Sequence, residues 1–208
     1  MDRRTALGAL GCLGGVGLAG CLGGDGDGGD GTTPEGGSQA TEDESTPTSA
    51  FDRPPSITAA AFDDGEPIPT RFSCDGENVS PELAIDDVPD GTARLALVLD
   101  DPDAPGGTYT HWLLWNVPAT TETIPEGVPP GETVEGLDGA SQGTNDAGVV
   151  GYSGPCPPRA HDPHTYRFRL LALAAPLDVA PGGDRPAFDS ALEQVEHAES
   201  VLRGTYDR

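Results

Sequence analysis

The apolar positions of this chain fall into short runs separated by turns rich in Pro and Gly. Three runs have the length and residue types of β-strands: RLALVLD at 94–100, THWLLWNVP at 110–118 and TYRFRLLALAAPL at 165–177. In the last run, alternate residues from Tyr166 to Ala172 share one face, and the leucines between them make the second face apolar as well. Strands that are apolar on both faces are typical of a sheet buried between two layers. The pattern predicts a mainly β protein with long loops.

One helix is predicted near the C-terminus. Ser190 and Glu193 have the spacing of a capping box, and Leu192 and Leu202 fall on one helical face. Gly204 is a residue that commonly ends a helix. We expect a helix of about fourteen residues that packs on the β body, because a helix of this length is not stable alone.

The start of the chain is predicted to lie outside the folded domain, which we place at 51–208. Residues 1–20 combine paired arginines with a short, small-residue apolar stretch, the pattern of an export signal that resembles a twin-arginine signal. Residues 21–50 contain almost no large apolar side chain, so we expect a disordered, acidic tether.

The sequence LAGC, which ends at Cys21, resembles a lipobox, in which the cysteine receives a lipid and becomes the new N-terminus. The alternative is plain cleavage with Cys21 unmodified. With the lipid, the chain is predicted to be an exported cell-surface lipoprotein, anchored to the outer face of the cytoplasmic membrane.

Charge narrows the classes of partner. The chain has 35 acidic residues against 11 arginines and no lysine, and its formal net charge is -24. Such a surface repels the phosphates of nucleic acids, so no nucleic-acid partner is expected. One interpretation is an acidic catalytic face. We favour the interpretation that acidic residues are dispersed over the surface of a protein adapted to high salt, where the repulsion between them is screened. This interpretation predicts a halophilic source.

Two of the 4 cysteines, Cys74 and Cys156, remain in the predicted domain. Export permits a disulfide between them. The alternative is two separate buried thiols, because the sequence does not give the distance between the two residues.

Polar residues cluster in four places, each beside a predicted strand. The clusters are the aspartates of DDPDAP at 100–105, His111, the loop GYSGPCPP at 151–158 and the segment HDPHTYRF at 161–168. Each cluster alone is weak evidence for a functional site, because a histidine at a strand start is usually structural and an Asp-Pro-Asp triplet is usually a turn. Together, two strands begin with a histidine behind a restricted loop, which presents polar groups at one end of a sheet.

These motifs, in this order, resemble the phosphatidylethanolamine-binding protein family, and most closely its bacterial and archaeal branch, often called Raf kinase inhibitor-like. DDPDAP and HWLLWNVP precede GYSGPCPP and HTYRFRLLAL, with FSCDGENVSPEL upstream and GTYDR at the C-terminus. The resemblance covers about residues 57–208. It implies an antiparallel β-sandwich with long Pro- and Gly-rich loops and a C-terminal helix beside it.

The resemblance also implies non-catalytic binding of a small anion, such as phosphate or a phosphoethanolamine-type headgroup, with regulation of a partner protein as a further role. No cofactor or metal is implied. The implied pocket residues are Asp101, Asp103, Pro105, His111, Gly154, Pro158, His164 and Tyr166.

The chemistry of that pocket can be anticipated. A carboxylate beside an imidazole fixes its tautomer and favours the imidazolium, which can donate to a phosphate oxygen. We expect the amides of the 151–158 loop to supply further donors. We expect Asp100 to face solvent or to cap the turn.

The alternative function is a metal-dependent hydrolase that uses Asp101, Asp103, His111 and His164, whose side chains suit a divalent metal. The chain lacks the helical HExxH signature of such enzymes. A serine hydrolase built on Ser153 ranks lower, because GYSGP departs from the GxSxG elbow at its last position.

Overall fold

The structure is a computed structural model that describes residues 50–159 and 161–208. The predicted export signal, Cys21 and nearly all of the predicted tether lie outside these residues and stay predictions. Within the described part, no helix is both long enough and apolar enough to cross a membrane.

Two antiparallel sheets form the body of the described chain. The smaller sheet has the order β1-β2-β5 and the larger sheet the order β6-β7-β4-β3-β8-β9. The strands are β1 Ser56–Ala59, β2 Leu83–Asp86, β3 Arg94–Asp101, β4 Tyr109–Pro118, β5 Thr123–Ile124, β6 Thr133–Val134, β7 Ala140–Gln142, β8 His164–Leu173 and β9 His197–Tyr206. Short 3-10 turns lie at Ala50–Asp52, Thr70–Phe72 and Glu135–Leu137, and the helix α1 spans Arg185–Leu192. The predicted fold class, a mainly β sandwich, is confirmed.

The large sheet is buried on both faces, as the apolar runs predict. Trp112 and Leu114 of β4 face the core between the two sheets. Leu113 and Trp115 face a second cluster on the outer side, which includes Phe188 of α1. The helix therefore covers the outer face of the sheet, while the small sheet covers the inner face. This arrangement leaves the ends of the central strands to form a site.

The predicted position of the helix is wrong. The helix begins after Asp184, whose side chain accepts a hydrogen bond from the N–H of Ala187 at 3.1 Å, so Asp184 is the N-cap. Ser190, which was predicted to cap the helix, lies inside it, and the helix ends at Leu192.

The segment predicted to continue the helix is the strand β9. It pairs with β8 along the whole length of both strands, from His197 opposite Leu173 to Tyr206 opposite His164. Gly204 is buried in this strand, where an added Cβ would overlap the side chain of Ile68. A capping pattern is a local preference, and a complete ladder of main-chain hydrogen bonds with buried side chains outweighs it.

Candidate ligand-binding site

A cavity of about 450 Å³ opens at one end of the large sheet, where β3 ends and both β4 and β8 begin. Because these strands are antiparallel neighbours, the loops after β3 and before β8 meet at this end. The structure brings six of the predicted site residues together around the cavity. They are Asp101, Pro105, His111, Gly154, Pro158 and His164.

A β-bulge aims His111 at this cavity. Thr110 and Trp112 of β4 lie opposite consecutive residues of β3, so His111 between them is an extra residue in the ladder. Strict alternation from Trp112 would direct His111 to the outer face. The bulge turns it inward instead, where its ring meets the Tyr166 ring edge-on with centroids 5.3 Å apart. The His111 carbonyl accepts a hydrogen bond from Asn145 Nδ2 at 3.1 Å, which holds the bulge.

The protein sets the tautomer of His111. Its Nδ1 lies 2.8 Å from the main-chain oxygen of Ser153. A carbonyl oxygen only accepts, so Nδ1 carries a proton and Nε2 is the nitrogen left for a ligand. Burial lowers the pKa of His111, against the opposing effects of the Ser153 carbonyl and the charge of Asp101. Burial thus favours the neutral ring here, whereas the sequence-based expectation was an imidazolium.

Asp101 holds the second histidine. Its Oδ2 lies 2.8 Å from Nδ1 of His164, and both side chains are buried. Its Oδ1 accepts the N–H of Asp103 at 2.9 Å. With Nδ1 of His164 donating to the carboxylate, Nε2 is again the nitrogen available to the cavity.

Asp103 does not line this cavity. It is exposed, and its Oδ2 accepts the N–H of Thr165 at 2.8 Å, which ties the loop after β3 to the start of β8. It faces a neighbouring, more open depression together with His161 and Asp162. The structure therefore gives Asp103 a role in shaping the loop.

Tyr166 lies behind the cavity and is fully buried. Its hydroxyl faces the carboxylate of Asp101 and the main chain of Cys156, yet it completes no hydrogen bond with any described residue. Burial raises the pKa of Tyr166, and the negative charge of Asp101 adds to the effect, so the hydroxyl keeps its proton. A buried hydroxyl without a partner beside a cavity is a group that a ligand can satisfy.

Two amides of the 151–158 loop that were expected to serve as anion donors are bound to protein acceptors. Ser153 N–H donates to the His111 carbonyl at 3.0 Å. Gly154 N–H donates to Oδ1 of Asn78 at 2.8 Å. The loop also lies so close to the 3-10 turn Thr70–Phe72 that a Cβ on Gly154 would overlap the carbonyl oxygen of Phe72. The loop amides at these positions hold the cavity wall in place and are not free for an anion.

A disulfide between Cys74 and Cys156 joins this loop to the segment after the second 3-10 turn, with Cα atoms 5.4 Å apart. Beside it, Arg208 binds Asp75 with two hydrogen bonds of 2.9 Å. The Arg208 guanidinium holds the pKa of Asp75 below its usual range. The Tyr206 hydroxyl also donates to Asp75, at 3.1 Å. The motifs FSCDG and GTYDR, distant in sequence, thus meet at the back of the cavity wall.

Comparison with known proteins shows which family has this architecture. The family model for "Phosphatidylethanolamine-binding protein" (PEBP) matches residues 58–207. The chain belongs to this family. Its PEBP domain is 41% identical over 150 residues to a UPF0098 protein of Pyrococcus horikoshii. The alignment covers 72% of this chain and 75% of that protein. The candidate lipoprotein LppC of Mycobacterium tuberculosis is 38% identical over 167 residues, which covers 80% of this chain and 79% of that protein.

Solved structures agree with the fold. The crystal structure of Escherichia coli YbcL, described as a new member of the mammalian PEBP family, superposes with a TM-score of 0.69 at 31% identity. The superposition covers 75% of this chain and 99% of the YbcL chain. A PEBP homologue from Chlamydia trachomatis has a TM-score of 0.66 at 33% identity, with 74% and 98% covered.

The expectation for Asp100 of the PEBP domain is wrong. Asp100 is fully buried on the outer face of the large sheet, opposite to Asp101. Its carboxylate accepts a hydrogen bond from Nε of Arg167 at 2.7 Å, and the guanidinium nitrogens of Arg169 and Arg185 lie 3.5 and 3.6 Å away. Because α1 contributes Arg185 over this end of the sheet, Asp100 is closed off from solvent.

Sequence reasoning missed five residues that line the PEBP cavity: Ala104, Tyr109, Ser153, Cys156 and Pro157. Tyr109 could have been found, because it precedes His111 by two positions on one strand, and its ring lies 4.9 Å from the His111 ring. The other four lie in irregular loops, where no periodicity indicates which side chains point inward.

Of the four residues of the hydrolase alternative, Asp101, His111 and His164 line the cavity and Asp103 does not. Within residues 50–159 and 161–208, no three or more His, Cys, Asp or Glu side chains are grouped closely enough to hold a metal ion. Asp103 is turned to Thr165, and each histidine commits Nδ1 to a protein acceptor.

Proposed function

We propose that the PEBP domain binds a small anion, phosphate or a phosphoethanolamine-type headgroup, in this cavity without transforming it. The observation that carries the proposal is the paired orientation of two buried histidines. Ser153 and Asp101 each hold one Nδ1, so that the Nε2 atoms of His111 and His164 are left for the cavity. A volume of about 450 Å³ suits a headgroup-sized ligand.

The cavity offers two kinds of donor to an anion. Tyr109 and Ser153 line it with hydroxyl groups, and the hydroxyl of Tyr166 lies behind it without a partner. A histidine that gains a proton on Nε2 adds a charge-assisted hydrogen bond, which is about twice as strong as a neutral one. The proposal therefore relies on hydroxyl groups and on protonation, and not on a fixed arginine.

Rigid walls support ligand binding. Pro105 and Pro158 restrict the two loops, and the disulfide of Cys156 secures one of them. Ordered loops lose little entropy when a ligand binds. The site also lacks a nucleophile hydrogen-bonded to a histidine in the described chain, since His111 contacts the main chain of Ser153.

We extend the proposal to the cell surface. The similarity to a candidate lipoprotein supports an export signal and a lipid on Cys21, and the acidic segment 21–50 would then act as a tether. Anchored in this way, the domain could present its bound anion to a partner protein. The halophilic source and the Raf kinase inhibitor-like branch stay predictions.

Calorimetry tests the binding proposal. The full chain carrying Cys21→Ser, which removes the proposed lipid attachment, is titrated with phosphoethanolamine. We expect saturable one-to-one binding that is strongly weakened in His111→Gln. His197→Gln is the matched control, because His197 is exposed at the start of β9 and lies outside the cavity. Binding that ignores His111, or no binding, contradicts the proposal.

Two further measurements test its other parts. Turnover of a phosphate ester by the same protein in the presence of zinc or manganese would contradict the non-catalytic assignment and favour the hydrolase. Mass spectrometry of the wild-type chain from membranes should show a lipid-modified Cys21 as the first residue, and an unmodified cysteine would contradict the anchor.

A further inference from the structure

We infer that the cavity selects oxyanions that carry a proton near neutral pH, such as phosphate and phosphate monoesters, over fully ionised ones such as sulfate and phosphate diesters. The inference rests on the proposed anion-binding function and names the ligand class of the same site. It follows from which atoms of the cavity accept hydrogen bonds and which donate them.

The cavity lining contains no permanent cation among the described residues. The chain has no lysine, and none of the arginines within residues 50–159 and 161–208 lines the cavity. Arg159, next to the lining residue Pro158, has a side chain that is 71% exposed and lies 3.5 Å from Asp75. Arg208 is held by the same carboxylate. An anion in the cavity therefore meets no fixed positive charge from the part of the chain that the structure describes.

The Ser153 carbonyl and the Asp101 carboxylate accept at 2.8 Å from Nδ1 of His111 and of His164, so each ring carries a proton on Nδ1. Burial favours the neutral ring of His111, whose Nε2 then presents a lone pair, which accepts and cannot donate. The Asp101 carboxylate, which itself lines the cavity, is a second acceptor.

The groups around the His111 ring are acidic or uncharged. His111 faces the carboxylates of Asp101 and Asp146 and the rings of Tyr109 and Tyr166. Burial lowers the pKa of His111 despite these carboxylates, so this ring is neutral until the pH falls or a ligand brings a proton.

His164 faces Asp101 on one side and the ring of His161 on the other, with centroids 5.9 Å apart. Asp103 and Asp162 line the neighbouring depression on that side. No arginine faces either histidine ring through a described contact, so the surroundings of the cavity are acidic or neutral.

Acceptors at the cavity discriminate between protonated and fully ionised anions. A fully ionised tetrahedral oxyanion directs only lone pairs at the acceptors and must recruit a proton to His111 from solution. An oxyanion with an O–H group donates directly to Nε2 of His111 or to Asp101. Hydroxyl donors such as Tyr109 serve both ligands equally and do not discriminate between them. Sites that satisfy a ligand hydrogen in this way reject isosteres that lack it, because buried polar groups are then left unpaired.

Two ligand pairs test the inference by calorimetry on the Cys21→Ser chain at about pH 6, where roughly half of a phosphate monoester carries a proton. Phosphate and sulfate share size and shape. Phosphoethanolamine and glycerophosphoethanolamine share the ammonium group and differ as monoester and diester. We expect the protonated member of each pair to bind about tenfold more tightly or better.

The pH and one substitution give independent readouts. Because burial lowers the pKa of His111, this ring gains a proton on Nε2 only as the pH falls, so the affinity for sulfate should rise and the preference for protonated anions should narrow. Asp101→Asn replaces an acceptor by a group that can donate, and it should narrow the preference in the same direction. His197→Gln should leave both affinities unchanged.

The outcomes separate the inference from the function on which it rests. Equal affinity for phosphate and sulfate, both lost in His111→Gln, overturns the selectivity and leaves anion binding in place. Failure of every anion to bind overturns both. If Asp101→Asn does not fold, the comparison of ligand pairs on the unsubstituted cavity decides the question.

Discussion

Replacing His164 with alanine affects two properties that the structure allows to be separated. The substitution removes the Nε2 atom offered to the ligand and the Nδ1 donor that lies 2.8 Å from Asp101. Loss of a hydrogen bond to a charged ligand costs about 1.5–3 kcal/mol of binding free energy. We therefore expect the affinity for phosphoethanolamine to fall roughly 10- to 150-fold.

The same substitution leaves the Asp101 carboxylate buried without its side-chain partner. It keeps one hydrogen bond, from the N–H of Asp103. An under-satisfied buried acceptor costs about 1–3 kcal/mol of unfolding free energy. For a domain of this size, Tm should fall by about 2–4 °C for each kcal/mol. The fold should survive, because His164 pairs with Tyr206 at the very end of the β8–β9 ladder.

Calorimetry gives the affinity, and thermal unfolding followed by circular dichroism gives the stability. The double variant Asp101→Asn/His164→Ala should recover part of the lost stability, because the unpaired carboxylate is gone, but it should not recover the wild-type affinity. His197→Ala serves as the control for both readouts. A lower Tm with unchanged affinity would refute the reasoning, because His164 would then be a structural residue alone.

Three other predictions concern the cavity walls. Cys74→Ser/Cys156→Ser should lower the unfolding free energy by about 2–5 kcal/mol in denaturant titrations, because the disulfide closes a long loop. Alkylation of both thiols in the wild-type protein without reductant would contradict the presence of the disulfide. Gly154→Ala should be strongly destabilising, because the methyl group would overlap a main-chain carbonyl, whereas Gly136→Ala, which meets open space, should be tolerated; equal thermal stability of the two would be the wrong outcome. Tyr166→Phe should weaken anion binding in calorimetry with little loss of stability, since its hydroxyl has no described protein partner; the reverse pattern would show that the hydroxyl stabilises the fold instead.

The central strands could be predicted from the sequence because their signal is local. β3, β4 and β8 lie within one residue of the predicted starts at 94, 110 and 165, since alternation and β-branched or aromatic residues act within a single strand. The alternation of Trp112 and Leu113 also predicted correctly that both faces of β4 are buried. The motifs beside these strands likewise led to the family.

The C-terminal segment shows the limit of local signals. The capping box and apolar spacing after Ser190 are compatible with a helix, and nothing within the segment excludes one. The outcome depends on β8, a strand more than twenty residues earlier, which offers a complete ladder to His197–Tyr206. A pairing preference of this kind is a property of two segments and is invisible in either one.

The sequence by itself thus determined the central strands, the acidic surface and the residue types of the site. Tertiary structure decided how those residues act. A bulge turns His111 inward, the protein's own acceptors occupy both Nδ1 atoms, and Asn78 occupies the Gly154 amide. Asp100 and Asp101 are adjacent in sequence, but Asp100 contacts a cluster of arginines and Asp101 lines the cavity. The physical reason is that a hydrogen bond or a buried contact needs two groups. For these residues the second group comes from a segment that is distant in the sequence.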